Sequence, residues 1–245
     1  MTRIDDSVRQ ALKSLGTKPP DDSNNSVKKA YSENMSNALA AALADELRRR
    51  GLRGTRPAGP GEVGASGAGR RLNGGLFSKK IDVSWATEES GLLLGMSIKC
   101  INFRDGRSHN YQKNLTNRRG DLAVEAVTLH RRFPYAVLAG FLVMDDGARH
   151  DGTAKRTSTF INAFPRLRIF TGRSDPSGRE EQFERLYIML VDANPFRPTL
   201  DCYRADDPSQ AVPMDEIFDD LISLLVERNF DAYERNGSNG LQKAK

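Results

Sequence analysis

The chain has little from which to build a covalent or metal-tied scaffold. It carries only two cysteines, Cys100 and Cys202, far apart and without metal-ligand spacing. That argues against a disulfide framework and a zinc site, and for a reducing, cytoplasmic setting. Histidine is as scarce: His109, His130 and His150 form no His-x-Glu or His-x-x-x-His pair, so histidine-ligated metal hydrolysis is poorly supported. His130 precedes Arg131 and Arg132 at an expected helix end, where a cation or capping donor is unremarkable. No apolar run approaches the roughly 20 residues that cross a bilayer, and no signal peptide is evident, so no membrane partner is expected. There is no G-x-x-x-x-G-K-[ST] loop, Ser84 and Ser97 lack a serine-hydrolase elbow, and no internal repeat is visible.

What the chain does have is charge of both signs and a succession of readable elements. Lysine and arginine number 37 against 32 aspartates and glutamates, a net charge of +5. This is compatible with a nucleic-acid partner but weak alone. A length of 245 residues suffices for one good core. Residues 1–25 read as a polar N-terminal segment, a short helix followed by a linker with Pro19-Pro20. Residues 26–50 read as a helix with Ser26 as candidate N-cap, an apolar stripe of Ala38, Leu39, Ala42, Leu43 and Leu47, and Arg48 to Arg50 at its end. Residues 51–75, rich in glycine, proline and arginine, read as a flexible connector whose Arg53, Arg56, Arg70 and Arg71 could touch a nucleic-acid backbone. A core domain is expected over 76–235 and a disordered tail over 236–245. Within that core the pattern predicts a helix over Thr159 to Phe164 and a strand over Leu167 to Phe170. Glu181 to Val191 is apolar at helical spacing, with a strand continuation open. The stretch from Ala193 to Pro213 reads as loop, and Met214 to Phe230 as an amphipathic helix that closes the core.

The stretch from Lys80 to Met144 carries the chemistry. Ile81, Val83 and Trp85 alternate with Lys80, Asp82 and Ser84. After a polar turn over Glu88 to Gly91, Met96, Ile98 and Cys100 alternate with Ser97 and Lys99. Two adjacent strands of a hairpin would place Asp82, Ser97 and Lys99 on one face; an ordinary half-exposed hairpin would show the same pattern. Residues Gly120 to Arg132 read as a helix with Asp121 near its start and Glu125 one turn on, sharing a face. Pro134 to Met144 is almost continuously apolar, as a buried central strand is. Asp145, Asp146 and Asp151 follow, where a turn is the simpler explanation.

The order strand, strand, helix, strand, with Asp82 on the first, Ser97-Ile98-Lys99 on the second and Glu125 on the helix, resembles the PD-(D/E)XK nuclease superfamily. It is most similar to the type II restriction endonuclease variant in which the strand carries S-x-K and the missing acid has moved to the following helix. The resemblance covers roughly Lys79 to Asp146. Ile81 stands where the motif has proline, and Ser97 replaces the second strand acid. The resemblance implies an α/β fold with a restriction-endonuclease-like core, a mixed central β-sheet flanked by helices. It also implies a Mg²⁺-dependent DNA endonuclease in restriction or another defence against foreign DNA. Asp82 and Glu125, with the main-chain carbonyl beside Lys99, would hold Mg²⁺. Lys99 would orient the attacking water, and Ser97 would hydrogen-bond near the metal. Nucleases of the family often draw a further glutamate from an N-terminal helix, for which Glu33 and Glu46 are the candidates; a solvated helix face explains each more simply.

The loop from Asn102 to Gly120 mixes Arg104, Arg107, Lys113, Arg118 and Arg119 with Asn114 and Asn117, cations for phosphates and amides for base edges. These seven residues are the candidate DNA contacts. A restriction enzyme acting on a palindrome is expected to form a homodimer, and an additional defence-system subunit is a further partner consistent with that role. The alternatives are a non-catalytic DNA-binding or adaptor protein that keeps the fold, and a protein-interaction module whose basic loop meets an acidic partner.

Overall fold

The computed structural model describes residues 2–62, 71–237 and 240–244. Arg70, one of the connector arginines, lies outside them. Helix α1 (Arg3–Lys13) opens on a capping box: the Thr2 hydroxyl accepts from the Asp5 amide while the Asp5 carboxylate accepts from the Thr2 amide. Its buried Ile4, Val8 and Leu12 recur every fourth residue. Helix α2 (Asn25–Arg49) is capped by Asn24, not Ser26: the Asn24 side chain accepts from the Val27 amide. Tyr31, Met35, Leu39, Leu43 and Leu47 form its buried stripe, again at intervals of four.

Two short strands, β1 (Arg71–Asn73) and β2 (Ser78–Lys80), pair antiparallel as a separate hairpin. The main sheet follows from β3 (Val83–Thr87) and β4 (Gly91–Ile101), then helix α3 (Gln112–His130), β5 (Val137–Asp145), helix α4 (Thr159–Leu167), β6 (Arg185–Asp192) and β7 (Thr199–Arg204). The five strands stand in the order β3-β4-β5-β6-β7; β4, β5 and β6 run parallel, and both edges are antiparallel. Helix α5 (Met214–Arg228) and a closing hairpin of β8 (Tyr233–Asn236) and β9 (Gly240–Lys243) complete the chain. The protein is thus an α/β structure with a five-stranded mixed central sheet flanked by helices.

Apolar side chains from α1, α2 and α5 bury one face of the sheet, against Val83, Met96, Ile98, Val137, Phe141 and Tyr187 among others. Those of α3 and α4 bury the other, against Leu138, Leu142, Leu186 and Ile188. Both faces being covered explains the unbroken apolar runs of the central strands. The arginines at the end of α2 tie it to its neighbours: Arg50 bonds Glu46, Asp215 and Asp219.

Several expectations are corrected. Leu167 to Phe170 ends α4 and continues as a 3-10 turn over Arg168–Phe170 rather than a strand. The apolar run after Glu181, whose helical spacing leaves a strand open, is a strand that runs parallel to β5 in the middle of the sheet. The segment read as loop contains β7, and the segment read as a disordered tail contains β9. The period-two alternation breaks at residue 82: Ile81 packs into the core of α3 and α4, whereas Val83 and Trp85 pack into the opposite one. Both cysteines are free and buried. No helix among the described residues is long and apolar enough to cross a membrane.

Candidate functional site

The hairpin of β3 and β4 and the crossover helix α3 determine where the polar residues meet. In β4, Met96, Ile98 and Cys100 enter the core under α2, so Ser97 and Lys99 face α3. Glu125 lies on the buried stripe of α3 between Leu122 and Leu129 and is fully withdrawn from solvent. Its two oxygens point back at the strand. The Ser97 hydroxyl donates to Oε1, and the Lys99 ammonium lies 3.0 Å from Oε2. Asp82, in the bend just before β3, accepts from the Ile98 amide at 2.7 Å through Oδ2 and lies 3.7 Å from the Lys99 ammonium. Lys99 also donates to the Ser97 hydroxyl at 3.4 Å. The four residues singled out in the sequence therefore form one cluster, with the lysine ammonium between two carboxylates.

Electrostatics follow from this burial. For Asp82, desolvation raises the carboxyl above its ordinary range, and neither the Lys99 charge nor the Ile98 amide cancels it. For Lys99 desolvation acts to lower the value, but the Glu125 and Asp82 charges outweigh it, so the lysine is held charged beyond its usual range. A second ammonium, which sequence reasoning missed, completes the balance: Lys79 on β2 lies 3.4 Å from Glu125 Oε2. Its signal in the sequence was only a Lys-Lys pair at the start of the stretch that carries the resemblance, and no role was read for it.

Lys99 and Ile98 also line a cleft of about 710 Å³. Its walls are the N-terminal half of α2 (Lys28, Lys29, Ser32, Glu33), the segment after β4 (Asn102, Phe103, Arg104, Asp105) and the first turns of α3 (Lys113, Asn114, Arg118). Six basic side chains face two acidic ones there, so the cleft attracts anions. The Asn102–Gly120 stretch is only partly loop. Helix α3 begins eight residues before the expected Gly120, initiated by the Asn110 side chain, which accepts from the Gln112 amide, and by Asp151, which accepts from the Tyr111 amide. Four of the seven candidate contacts, Arg104, Lys113, Asn114 and Arg118, line the cleft. Arg107 is exposed on the turn beyond it, Asn117 is exposed on α3, and the Arg119 guanidinium lies over the Phe170 ring. Asp121 does not join Glu125; it is exposed and paired with Arg118 at 3.1 Å.

The two upstream glutamates separate clearly. Glu33 lines the cleft together with Lys99, whereas Glu46 is buried in ion pairs with Arg3, Arg49 and Arg50 and serves the packing of α1 on α2. The three aspartates at and beyond the end of β5 have structural partners. Asp145 accepts from the Tyr111 hydroxyl and from Lys18, Asp146 pairs with Arg149, and Asp151 accepts from the Thr159 amide. His130 is buried, one ring nitrogen at 3.0 Å from the Glu180 carbonyl and the other at 3.3 Å from Glu184.

Chemically, the cluster offers oxygen donors only. Asp82 Oδ1 receives no hydrogen bond from a described residue, and Glu125 Oε2 meets two ammoniums without a well-directed hydrogen bond. Among the described residues no group of three or more His, Cys, Asp or Glu side chains could hold a metal ion. A pair of carboxylates suits an ion that takes one or two of them and fills its remaining positions with water and phosphate oxygens, as Mg²⁺ does. It does not suit an ion requiring a closed protein cage. No family model, curated protein or solved structure matches the chain.

Proposed function

We propose that the chain is a Mg²⁺-dependent DNA endonuclease with a restriction-endonuclease-like core, serving restriction or another defence against foreign DNA. The observation that carries this reading is the meeting of Asp82, Ser97, Lys99 and Glu125 from three elements, with Lys99 also lining a basic cleft. Asp82 and Glu125 are the residues that would hold Mg²⁺, which when bound would polarise the scissile phosphate and lower the pKa of its water. Lys99, held charged, orients the attacking water and offsets the negative charge that develops on the phosphoryl oxygens. Ser97 fixes the Glu125 carboxylate through its hydroxyl, a positioning role. Arg104, Lys113 and Arg118 supply phosphate contacts along the cleft, and Asn114 offers an amide to a base edge.

A second reading has its own support. Each charge of the cluster is already balanced within it, and no three-carboxylate group is present among the described residues. A DNA-binding or adaptor protein that keeps the ion cluster for packing alone would have these features. Cleavage of plasmid and phage DNA by the purified chain, with Mg²⁺ or with EDTA, separates the two. Asp82→Asn and Lys99→Gln are the variants of choice because both keep the size and a hydrogen-bonding group of the original. Metal-dependent cuts that disappear in both variants, with circular dichroism unchanged, are the expected result. Intact DNA that remains bound would establish the adaptor reading.

A further inference from the structure

Resting on the metal-dependent reading above, we propose that Lys79 is a positioning residue of the same site, a counter-ion to Glu125 that gives way when a divalent cation binds. Charge balance points to it. The cluster holds two carboxylates, Asp82 and Glu125, and two ammoniums, Lys79 and Lys99, so it is neutral as it stands. A divalent cation placed on the same carboxylates leaves an excess of two positive charges in a site largely shielded from water, unless an ammonium moves away.

The two lysines are not equally free to move. Lys99 is held by three partners, Glu125 at 3.0 Å, Asp82 at 3.7 Å and the Ser97 hydroxyl at 3.4 Å, and its side chain is 16% exposed. Lys79 reaches Glu125 alone among the described residues, at 3.4 Å, and its side chain is 26% exposed. The ammonium that can leave for solvent at the smaller loss is that of Lys79. The hairpin bearing it is fitted to α3 closely enough to make the contact specific. The Gly75 amide donates to the Thr128 carbonyl at 2.7 Å, and a Cβ at Gly74 or Gly75 would come within 2.4 Å of Thr128 or 2.2 Å of Arg131. The β1–β2 hairpin therefore belongs to the site: it delivers a charge that keeps Glu125 balanced before the cation arrives.

The test is calorimetric titration of the full chain with Ca²⁺, a probe ion with the same preference for oxygen donors, without nucleic acid and at low ionic strength. Removing a competing ammonium in contact with the carboxylate should make Lys79→Met bind roughly tenfold more tightly than the unsubstituted chain. Lys79→Arg, which keeps the charge, should bind no more tightly, and Glu125→Gln should bind far more weakly than either. Thermal unfolding checks that each variant folds, and Lys79→Gln replaces Lys79→Met if the latter does not. A hairpin lysine serving only to pack would change the melting temperature and leave Ca²⁺ affinity unaltered or reduced, which overturns the proposal while the metal-dependent reading survives. Absence of Ca²⁺ binding in the unsubstituted chain and in the folded charge-removing variant of Lys79 would overturn the two together.

Discussion

Two glutamates, Glu125 and Glu184, are fully withdrawn from solvent, and their surroundings differ in kind. Glu184 is met by Arg173 at 3.0 Å, Arg228 at 2.6 Å, the His130 ring at 3.3 Å and the Leu138 amide at 2.6 Å. Burial acts to raise its carboxyl, but the His130 ring, the Arg228 charge and the Leu138 amide outweigh it and hold the value below the ordinary carboxylate range. Both oxygens are engaged by directed donors, which is what a structural junction between α3, β5 and α5 requires. Glu184→Gln should cost about 3–5 kcal/mol at neutral pH, because it leaves buried guanidinium groups without their counter-charge. Since the folded value lies below the unfolded one, this contribution is complete above about pH 4.5 and is lost as the pH falls through the folded value. Urea unfolding of both proteins from pH 7 downward should show the gap closing in acid; a gap constant down to the lowest pH at which both fold would refute the assignment. Glu125 is the opposite case, contacted by a hydroxyl and by two ammoniums on flexible stems, one of its oxygens lacking a directed bond. Its place was legible because Asp82, Ser97, Lys99 and Glu125 follow in the order on which the resemblance rests; the local pattern alone sets Glu125 on a face with Asp121, whereas it lies on the buried stripe with Leu122 and Leu129. Glu184 was not legible, because its partners come from positions 130, 173 and 228, separations that no local period encodes.

Among the elements, α1 is the short helix expected within residues 1–25, but its polar composition hid its place in the core. Only Ile4, Val8 and Leu12 give it an apolar side, yet all three enter the core shared with α2, α5 and the sheet, and Lys18 and Asp21 fasten the following segment to Asp145 and the Arg104 amide. Leu12→Ala should therefore lower stability by about 2–4 kcal/mol, the range for truncating a buried leucine. Trp85, the single tryptophan, lies in the same core and reports the transition in urea by its fluorescence. A loss below about 0.5 kcal/mol, typical of surface substitutions, would mean that α1 does not share the core. The elements that the pattern did not settle have related causes. Strand β6 is apolar on both faces, so its period could not be told from that of a buried helix. The first turns of α3 are polar because they border the cleft rather than the core, which removed the stripe that would have announced a helix. Hairpin β3–β4 and helix α5 were legible because each keeps a polar side.

For the molecule as a whole, the net charge of +5 matters less than its placement. Most ion pairs outside the cleft are self-contained, such as Arg179 with Glu181 and Arg185 with Asp220, whereas the cleft gathers Lys28, Lys29, Lys99, Arg104, Lys113 and Arg118 against Glu33 and Asp105. A polyanion lying in it would release counterions in proportion to the phosphates neutralised, so affinity should fall linearly with salt on logarithmic axes. Lys28, Arg104 and Lys113 come from three different walls, and their contacts should be nearly independent. Replacing all three by glutamine should reduce that slope by about 2–3, at roughly 0.9 per phosphate contact. The Lys113 share should be the smallest, because its ammonium is already engaged by Asp105 at 2.7 Å. Arg179→Gln, exposed and outside the cleft, is the control and should leave the slope unchanged. Anisotropy of a labelled duplex between about 50 and 200 mM salt covers the range in which such slopes are resolved. An unaltered slope in the triple variant, with binding retained, would move the nucleic-acid surface away from the cleft and detach it from the Asp82, Lys99 and Glu125 cluster.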